Sequence, residues 1–413
     1  QTWKTGNGAA VLFVSAPDLP MVDVRVVFDA GSARDGSSPG LSRLTNALLT
    51  DGAGQWDADQ IAQRMDSVGA KLGNGALKDM AWVSLRTLTD KPAYTQSVAT
   101  LVEVLTNPTF PPDALERNRQ MMLANLKQEE QSPGDVARKR FMHAVFGSHP
   151  YAIDSGGTKE SLQAITRDDV VSQYRRYYVA NNATIAIVGA LNRKQAEDLA
   201  ERLTSGLPAG AAAPALPAVP ELKQASNQHI PFPSSQSHIL LGQPGMHRGD
   251  PDYFALYVGN HILGGGGLVS LLTEEVREKR GLSYSVYSYF SPMRADGPFI
   301  MGAQTKNQQA DQALDVMRKT LNAYIEQGPT DAELLAAKQN ITGSFPLNIA
   351  SNGKIVEYIS MIGFYHLPLD YLDTLVGKVN AVTKEQIKDA FKRRVHPDRF
   401  VTVVVGDANK EKP

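Results

Sequence analysis

The chain contains eight histidines, His143, His149, His229, His238, His247, His261, His366 and His396, and these are its only imidazole candidates for metal chemistry. No two of them stand at i, i+4, the spacing that puts a pair of imidazoles on one helix face. His143 and His149 come closest, and their separation of six residues places them on different faces. Each is therefore expected to be a satisfied or surface histidine. The absence of cysteine removes thiolate ligands, cysteine nucleophiles and disulfides. No G-x-S-x-G elbow is present. The run Gly264-Gly265-Gly266-Gly267 lacks the lysine that completes a phosphate-binding loop, so it is expected to be a flexible loop opening onto a helix from Leu271 to Lys279. The acidic pairs Glu129-Glu130 and Glu274-Glu275 occupy adjacent positions, which diverge on a helix and read as solvated faces.

The elements that would position any site are clearer than the site itself. Leu41, Leu44 and Leu48 fall at i, i+3 and i+7, the apolar face of an amphipathic helix. A longer pattern repeats. The segment opening Ala164-Ile165-Thr166-Arg167 and closing Ile185-Ala186-Ile187-Val188-Gly189 recurs without a gap 217 positions later, from Ala381-Val382-Thr383-Lys384 to Val401-Thr402-Val403-Val404-Val405-Gly406-Asp407-Ala408-Asn409. In each copy a threonine, Thr166 or Thr383, has the character of a helix N-cap, and a buried strand ending at glycine follows the helix. Pro112-Asp113-Ala114 and Thr330-Asp331-Ala332 echo the repeat, each ahead of a long helical pattern. The chain reads as two copies of one domain.

Between the copies lies an Ala/Pro/Gly-rich stretch with the character of an extended, semi-rigid linker. The expected organisation is a first domain over 1–205, a linker over 206–220 and a second domain over 221–413. In the first half, strands are expected near Ala9 to Val14, Val22 to Phe28 and Met80 to Leu88. Helices are expected around Ser42 to Leu49, Ala58 to Val68, Ala93 to Leu105, Asp113 to Gln131, Asp135 to Phe146 and Arg167 to Tyr177. In the second half, strands are expected near His238 to Gly242, Ser283 to Phe290 and Phe299 to Gln304. The fold class is α+β, with two homologous domains, each a mainly antiparallel sheet with helices packed on one face.

At 413 residues the chain exceeds the size at which a single core stops growing, in keeping with two domains. A formal net charge of −1 and the lack of a long basic run argue against a nucleic-acid footprint; Lys392-Arg393-Arg394 is expected to be a solvated helix face. No apolar stretch reaches the length of a membrane span. The chain opens at Gln1 instead of methionine, which suits a processed or trimmed protein. The expected location is the bacterial periplasm, with the cytoplasm as the alternative.

Taken in order, Gly6-Asn7-Gly8, the Pro20 strand with Ala30-Gly31-Ser32, His149-Pro150-Tyr151, Leu263-Gly264-Gly265-Gly266 and Arg277-Glu278-Lys279-Arg280-Gly281-Leu282-Ser283-Tyr284 resemble the landmarks of the pitrilysin/insulinase-type zinc metallopeptidases, the inverzincins. Together with the duplication, the resemblance covers nearly the whole chain. It implies the LuxS/processing-peptidase-like metallopeptidase fold, and a chain that forms one half of a two-part clamp around a peptide chamber. The family's zinc motif is H-x-x-E-H. Here it aligns with Arg43, Asn46 and Ala47, and the distal glutamate ligand aligns with Asn125, or with Ala124 after a one-residue slip. A hydrolytic zinc needs about three protein ligands and an open position for water. The resemblance thus implies a non-catalytic subunit with no cofactor of its own.

One family element is retained. The resemblance implies that an arginine and a tyrosine seven residues apart, here Arg277 and Tyr284, hold the substrate backbone. Arginine offers a planar fork of fixed donors, and a tyrosine hydroxyl can donate to a developing oxyanion. Tyr287 and Tyr289 share a period of two with each other and not with Tyr284, so on a regular strand they face the other way. An edge strand here could add a peptide by backbone pairing. The implied partners are an H-x-x-E-H-bearing homologue that carries the zinc and a peptide substrate, with a homodimer possible without that homologue. The alternatives are a structural scaffold subunit and a peptide-binding homodimer with no role in cleavage.

Overall fold

The computed structural model describes residues 1–407, so Ala408 and Asn409 of the repeat lie outside the described residues. Strands β1 (Thr2–Lys4), β2 (Ala10–Ser15) and β3 (Met21–Phe28) open the chain, and a two-stranded ribbon follows from β4 (Gly52–Ala53) and β5 (Trp56–Asp57). Then come β6 (Lys71–Ala76), β7 (Ala81–Leu88) and β8 (Ala183–Gly189). The first large sheet has the order β1-β2-β8-β3-β7-β6, antiparallel except for the β2/β8 pair. The second half supplies β9 (Ser226–Ile230), β10 (Gln236–Pro244), β11 (Ser285–Phe290), β12 (Pro298–Lys306) and β13 (Val401–Val405). Their order is β11-β12-β10-β13-β9, antiparallel except for β13/β9. Both sheets are therefore mainly antiparallel, and β6 and β11 lie at their edges.

The threonine caps form as their spacing implies. The Thr166 side chain accepts from the Asp169 amide and Thr383 accepts from the Gln386 amide, each in a reciprocal capping box. Such a cap contributes about 1 kcal/mol to its helix. The strand after each helix is apolar: β8 is buried throughout, and in β13 Val401, Val403 and Val405 are buried.

The chain forms two compact units, parted in the linker between Ala215 and Leu216, and neither is a contiguous half of the sequence. The first unit comprises Gln1–Leu126, Ile153–Ala215 and Leu347–Leu369; the second comprises Lys127–Ala152, Leu216–Pro346 and Asp370 onward. Each unit thus contains one helix encoded in the other half of the duplication.

In the first unit, most helices pack on the face of the sheet that carries Val22, Val24 and Val26 of β3 and Ile185 and Ile187 of β8. The opposite face meets the borrowed helix Asn352–Phe364, where Phe364 packs with Val27 and Met80. Gly363 lets that helix sit close: a Cβ there would come 2.4 Å from Leu12 Cδ1 and 2.7 Å from Thr184 Cγ2. In the second unit the borrowed helix is Pro133–Phe146, packed on β10 and β13. Local periodicity specifies a helix and its apolar face but not the sheet that receives it, so the exchange could not be read from 1–205 and 221–413 as linear blocks.

Candidate functional site

The helix Leu41–Leu48 buries Leu41, Leu44 and Leu48 in the first unit's core, as its spacing requires. Its chemistry is that of a packed amide. Asn46 is 2% exposed. Its Nδ2 donates to the Trp82 carbonyl at 3.1 Å and to the Tyr178 hydroxyl at 3.3 Å. Asn74, on edge strand β6, donates to the Asn46 carbonyl at 2.8 Å and to Asn46 Oδ1 at 3.2 Å. Burial pushes the Tyr178 phenol upward, so this cluster stays neutral. Arg43 is exposed, and Ala47 is half-buried and offers no donor. Asn125 is half-buried on the long helix Pro112–Glu130. No imidazole or carboxylate stands at any of these four positions, and the one buried amide is committed to hydrogen bonds. The donor set does not fit a hydrolytic zinc.

The second unit arranges the corresponding elements differently. The helix Tyr253–Asn260 runs into a π-helical stretch, His261–Gly265, closed by a bond from the Gly266 amide to the His261 carbonyl. A second π-helical stretch, Thr273–Glu278, occupies the predicted helix from Leu271 to Lys279. The wider turn of a π-helix is rare and is frequently found at functional sites. Gly264 is required where it stands, because a Cβ would come 2.4 Å from Ser288 Oγ and 2.5 Å from the Ser288 amide nitrogen.

Between these stretches and edge strand β11 opens a cleft of about 760 Å³, and both Arg277 and Tyr284 line it. Tyr284 is 86% exposed and makes no hydrogen bond or ring contact among the described residues. It precedes β11, whose first residue is Ser285, and Ser283 Oγ fixes the approach by donating to the Ser285 and Gln304 carbonyls. The alternation that sets Tyr287 and Tyr289 on one face therefore does not govern Tyr284. Tyr287 and Tyr289 stack at 5.9 Å and also line the cleft. Across it, Tyr253 and Tyr257 stack at 5.8 Å. The Arg277 guanidinium lies 3.4 Å from Glu278 through Nε and donates no hydrogen bond among the described residues. Arg280 instead bonds the Glu275 carboxylate and carbonyl, a surface ion pair outside the cleft. His261 lines the cleft as well, and burial lowers its basicity and favours the neutral ring.

One constellation escaped the sequence reading. His247 Nδ1 lies 2.9 Å from Asp296 Oδ1 and 3.7 Å from Asp250 Oδ2, close enough for the three to be weighed as a cation site. Arg394 already donates to both oxygens of Asp250, at 2.9 and 2.7 Å, and Arg393 and Arg394 pair with Asp252. A cation would have to share its principal carboxylate with a guanidinium, so the group functions as an ion-pair network. Nothing local signals it, because His247 and Asp296 stand 49 residues apart. His149 is likewise structural: buried, it meets the Pro217 carbonyl through Nε2 and accepts from the Tyr151 amide through Nδ1.

Residues 10–159 match the family model for insulinase, peptidase family M16, and residues 164–341 match the model for the peptidase M16 inactive domain. A crystal structure from Pseudomonas fluorescens, described as a peptidase M16 inactive domain, is 42% identical and superposes with a TM-score of 0.96, covering 100% of this chain and 99% of that one. The chain belongs to peptidase family M16. Among its M16 relatives is the non-peptidase homolog YmxG of Helicobacter pylori, 27% identical over 398 residues, covering 95% of this chain and 91% of the relative. An uncharacterized zinc protease of Bacillus subtilis, also YmxG, is 24% identical and covers 98% and 97% of the two chains. These M16 names fall on both sides of the zinc question; the inactive-domain match lies over the second half, and Leu41–Leu48 falls within the insulinase match. Among the described residues no helix is long and apolar enough to cross a membrane.

Proposed function

We propose that this M16 chain is the non-catalytic half of a heterodimeric peptidase, binding the peptide while an H-x-x-E-H-bearing homologue hydrolyses it. The observation that carries the reading is the contrast between a ligand helix closed around a buried asparagine and a cleft that brings Arg277 and Tyr284 to one open surface. The chain itself contributes no zinc. Arg277 holds a backbone carbonyl with fixed donors, and Tyr284 donates to the oxygen as charge develops on it. Hydrogen bonds involving a charged group contribute about 1.5–3 kcal/mol, so each such contact is worth roughly ten- to a hundredfold in rate.

The test is mass spectrometry of what co-purifies stoichiometrically with the tagged chain from its native host, with zinc measured on the same material. The expected result is a homologue carrying intact H-x-x-E-H, with the zinc following that homologue. A stoichiometric partner without the motif would shift the assignment to a scaffold subunit. A chain that purifies alone as a dimer would shift it to a peptide-binding homodimer.

A further inference from the structure

The cleft has a chemistry more specific than peptide binding in general. Arg248 and Arg277 line it, and among the described residues no aspartate or glutamate does. Arg277 donates no hydrogen bond among the described residues, and its nearest carboxylate, Glu278, is 60% exposed and stands outside the lining. Among glycines and small polar residues, the rest of the lining carries the Tyr253/Tyr257 stack on one side and the Tyr287/Tyr289 stack on β11, the latter also bordering a second cavity beside Arg138. Leu268, 69% exposed, extends the apolar rim. A guanidinium that is not hydrogen-bonded, set in an aromatic cleft, suits a carboxylate better than a carbonyl. The planar fork bonds both oxygens of a carboxylate in parallel, and the ionised acceptor roughly doubles the strength of each bond. Tyrosine faces in turn accept a flat apolar side chain.

From this charge and shape complementarity we propose that the preferred occupant is the free C-terminal end of a peptide whose last residue is aromatic, its carboxylate on Arg277 and its ring among the tyrosines. The proposal rests on reading the cleft as a peptide site. A chain terminus satisfies both demands from one residue, because carboxylate and side chain leave the same Cα. In an extended internal segment an acidic side chain and its aromatic neighbour point to opposite faces. Hydrolysis of a bound peptide creates such an end: the C–N bond breaks, water supplies hydroxyl to the carbonyl carbon and a proton to the departing amine, and the new acid ionises. The fragment ending in carboxylate should therefore hold the cleft more tightly than the uncut chain did, and inhibit further turnover.

The experiment is fluorescence anisotropy on the full-length isolated chain with four N-terminally labelled hexapeptide probes. One ends in phenylalanine with a free carboxylate, the second is its C-terminal amide, and the third extends the phenylalanine by Gly-Ser-amide. The fourth is an amide with an internal glutamate beside the phenylalanine. The free acid is expected to bind about tenfold or more tightly than the other three, since the amide and the extended probe lose the charge-assisted bonds to Arg277 and the internal glutamate cannot seat its carboxylate and the neighbouring ring together. Arg277→Ala should abolish the difference by weakening the acid far more than the amide, and added salt should weaken the acid most. Equal affinity of acid and amide, an internal glutamate probe that equals the free acid, a preference that survives Arg277→Ala, or no binding of any probe would each overturn the proposal. If the acid is preferred but cleavage by a co-purified homologue is indifferent to Arg277, the hydrolytic role fails and this inference stands. If acid and amide bind alike while cleavage depends on Arg277, this inference fails and the hydrolytic role stands.

Discussion

The two units place an asparagine in the same relation to an edge strand and use it to different ends. Asn46, on its helix, is bonded by Asn74 of β6; 214 positions later Asn260, at the end of its helix, donates to the carbonyl of Ser288 on β11 and accepts from the Ser288 hydroxyl. In the first unit the bond belongs to a sealed cluster that also ties up Trp82 and Tyr178. In the second the chain beyond Asn260 widens into π-helical turns, and tyrosines, two arginines and His261 border open space. The register that holds Arg43 and Ala47 in the first unit holds Tyr257 and His261 in the second. A duplicated frame can thus spend one copy on packing and keep the other open for recognition.

The difference is broken most severely in the sealed copy. Leu44→Ala empties a fully buried position and is expected to cost about 2–5 kcal/mol in urea denaturation. A loss under 1 kcal/mol would mean the helix is not the packing element described. Asn46→Leu should cost about 1–3 kcal/mol, because the Trp82 carbonyl and the Tyr178 hydroxyl each lose a donor and Asn74 keeps only its bond to the backbone carbonyl of residue 46. Thermal melts of the variant resolve this, and an unchanged midpoint would show that the cluster is not tightly satisfied.

At the start of the same helix, Asp35 accepts from the Gly40 and Ser42 amides, and burial nevertheless pushes its carboxyl up to about 6. Its folded value lies above its unfolded one, so the folded state holds the extra proton and stability falls as pH rises from about 4 to about 6. Asp35→Asn should remove that slope, which paired denaturation curves at the two ends of the window would show; a slope equal to wild type would exclude Asp35 as its source. The smallest effect belongs to the open copy. Leu268→Ala, at a 69% exposed rim position, should leave stability within about 0.5 kcal/mol. A larger loss would place the rim in the core.

Much of this frame was legible in the residues. Thr166 and Thr383 announced their helices, and the helix from Arg167 to Tyr177 falls where its pattern placed it. Strand β6 was not read, because Lys-Leu-Gly-Asn-Gly-Ala carries two glycines and little apolar alternation, and its pairing with β7 supplies what propensity lacks. The π-helical turns were hidden too, since they depend on the close seat of Gly264 against β11. The sequence supplied the spacing of Arg277 and Tyr284, but only the fold brings the tyrosines of the Tyr253–Asn260 helix to the same cleft. The exchange of helices between halves depends on which sheet accepts each one, a tertiary choice with no local signal.

The most direct test of a recognition role for the open copy is the cleavage rate of the H-x-x-E-H-bearing homologue assembled with this chain, wild type against Arg277→Ala/Tyr284→Phe. The expected result is a fall of about ten- to a hundredfold or more with the assembly intact by gel filtration. An unchanged rate, or a loss that only follows loss of assembly, would contradict it.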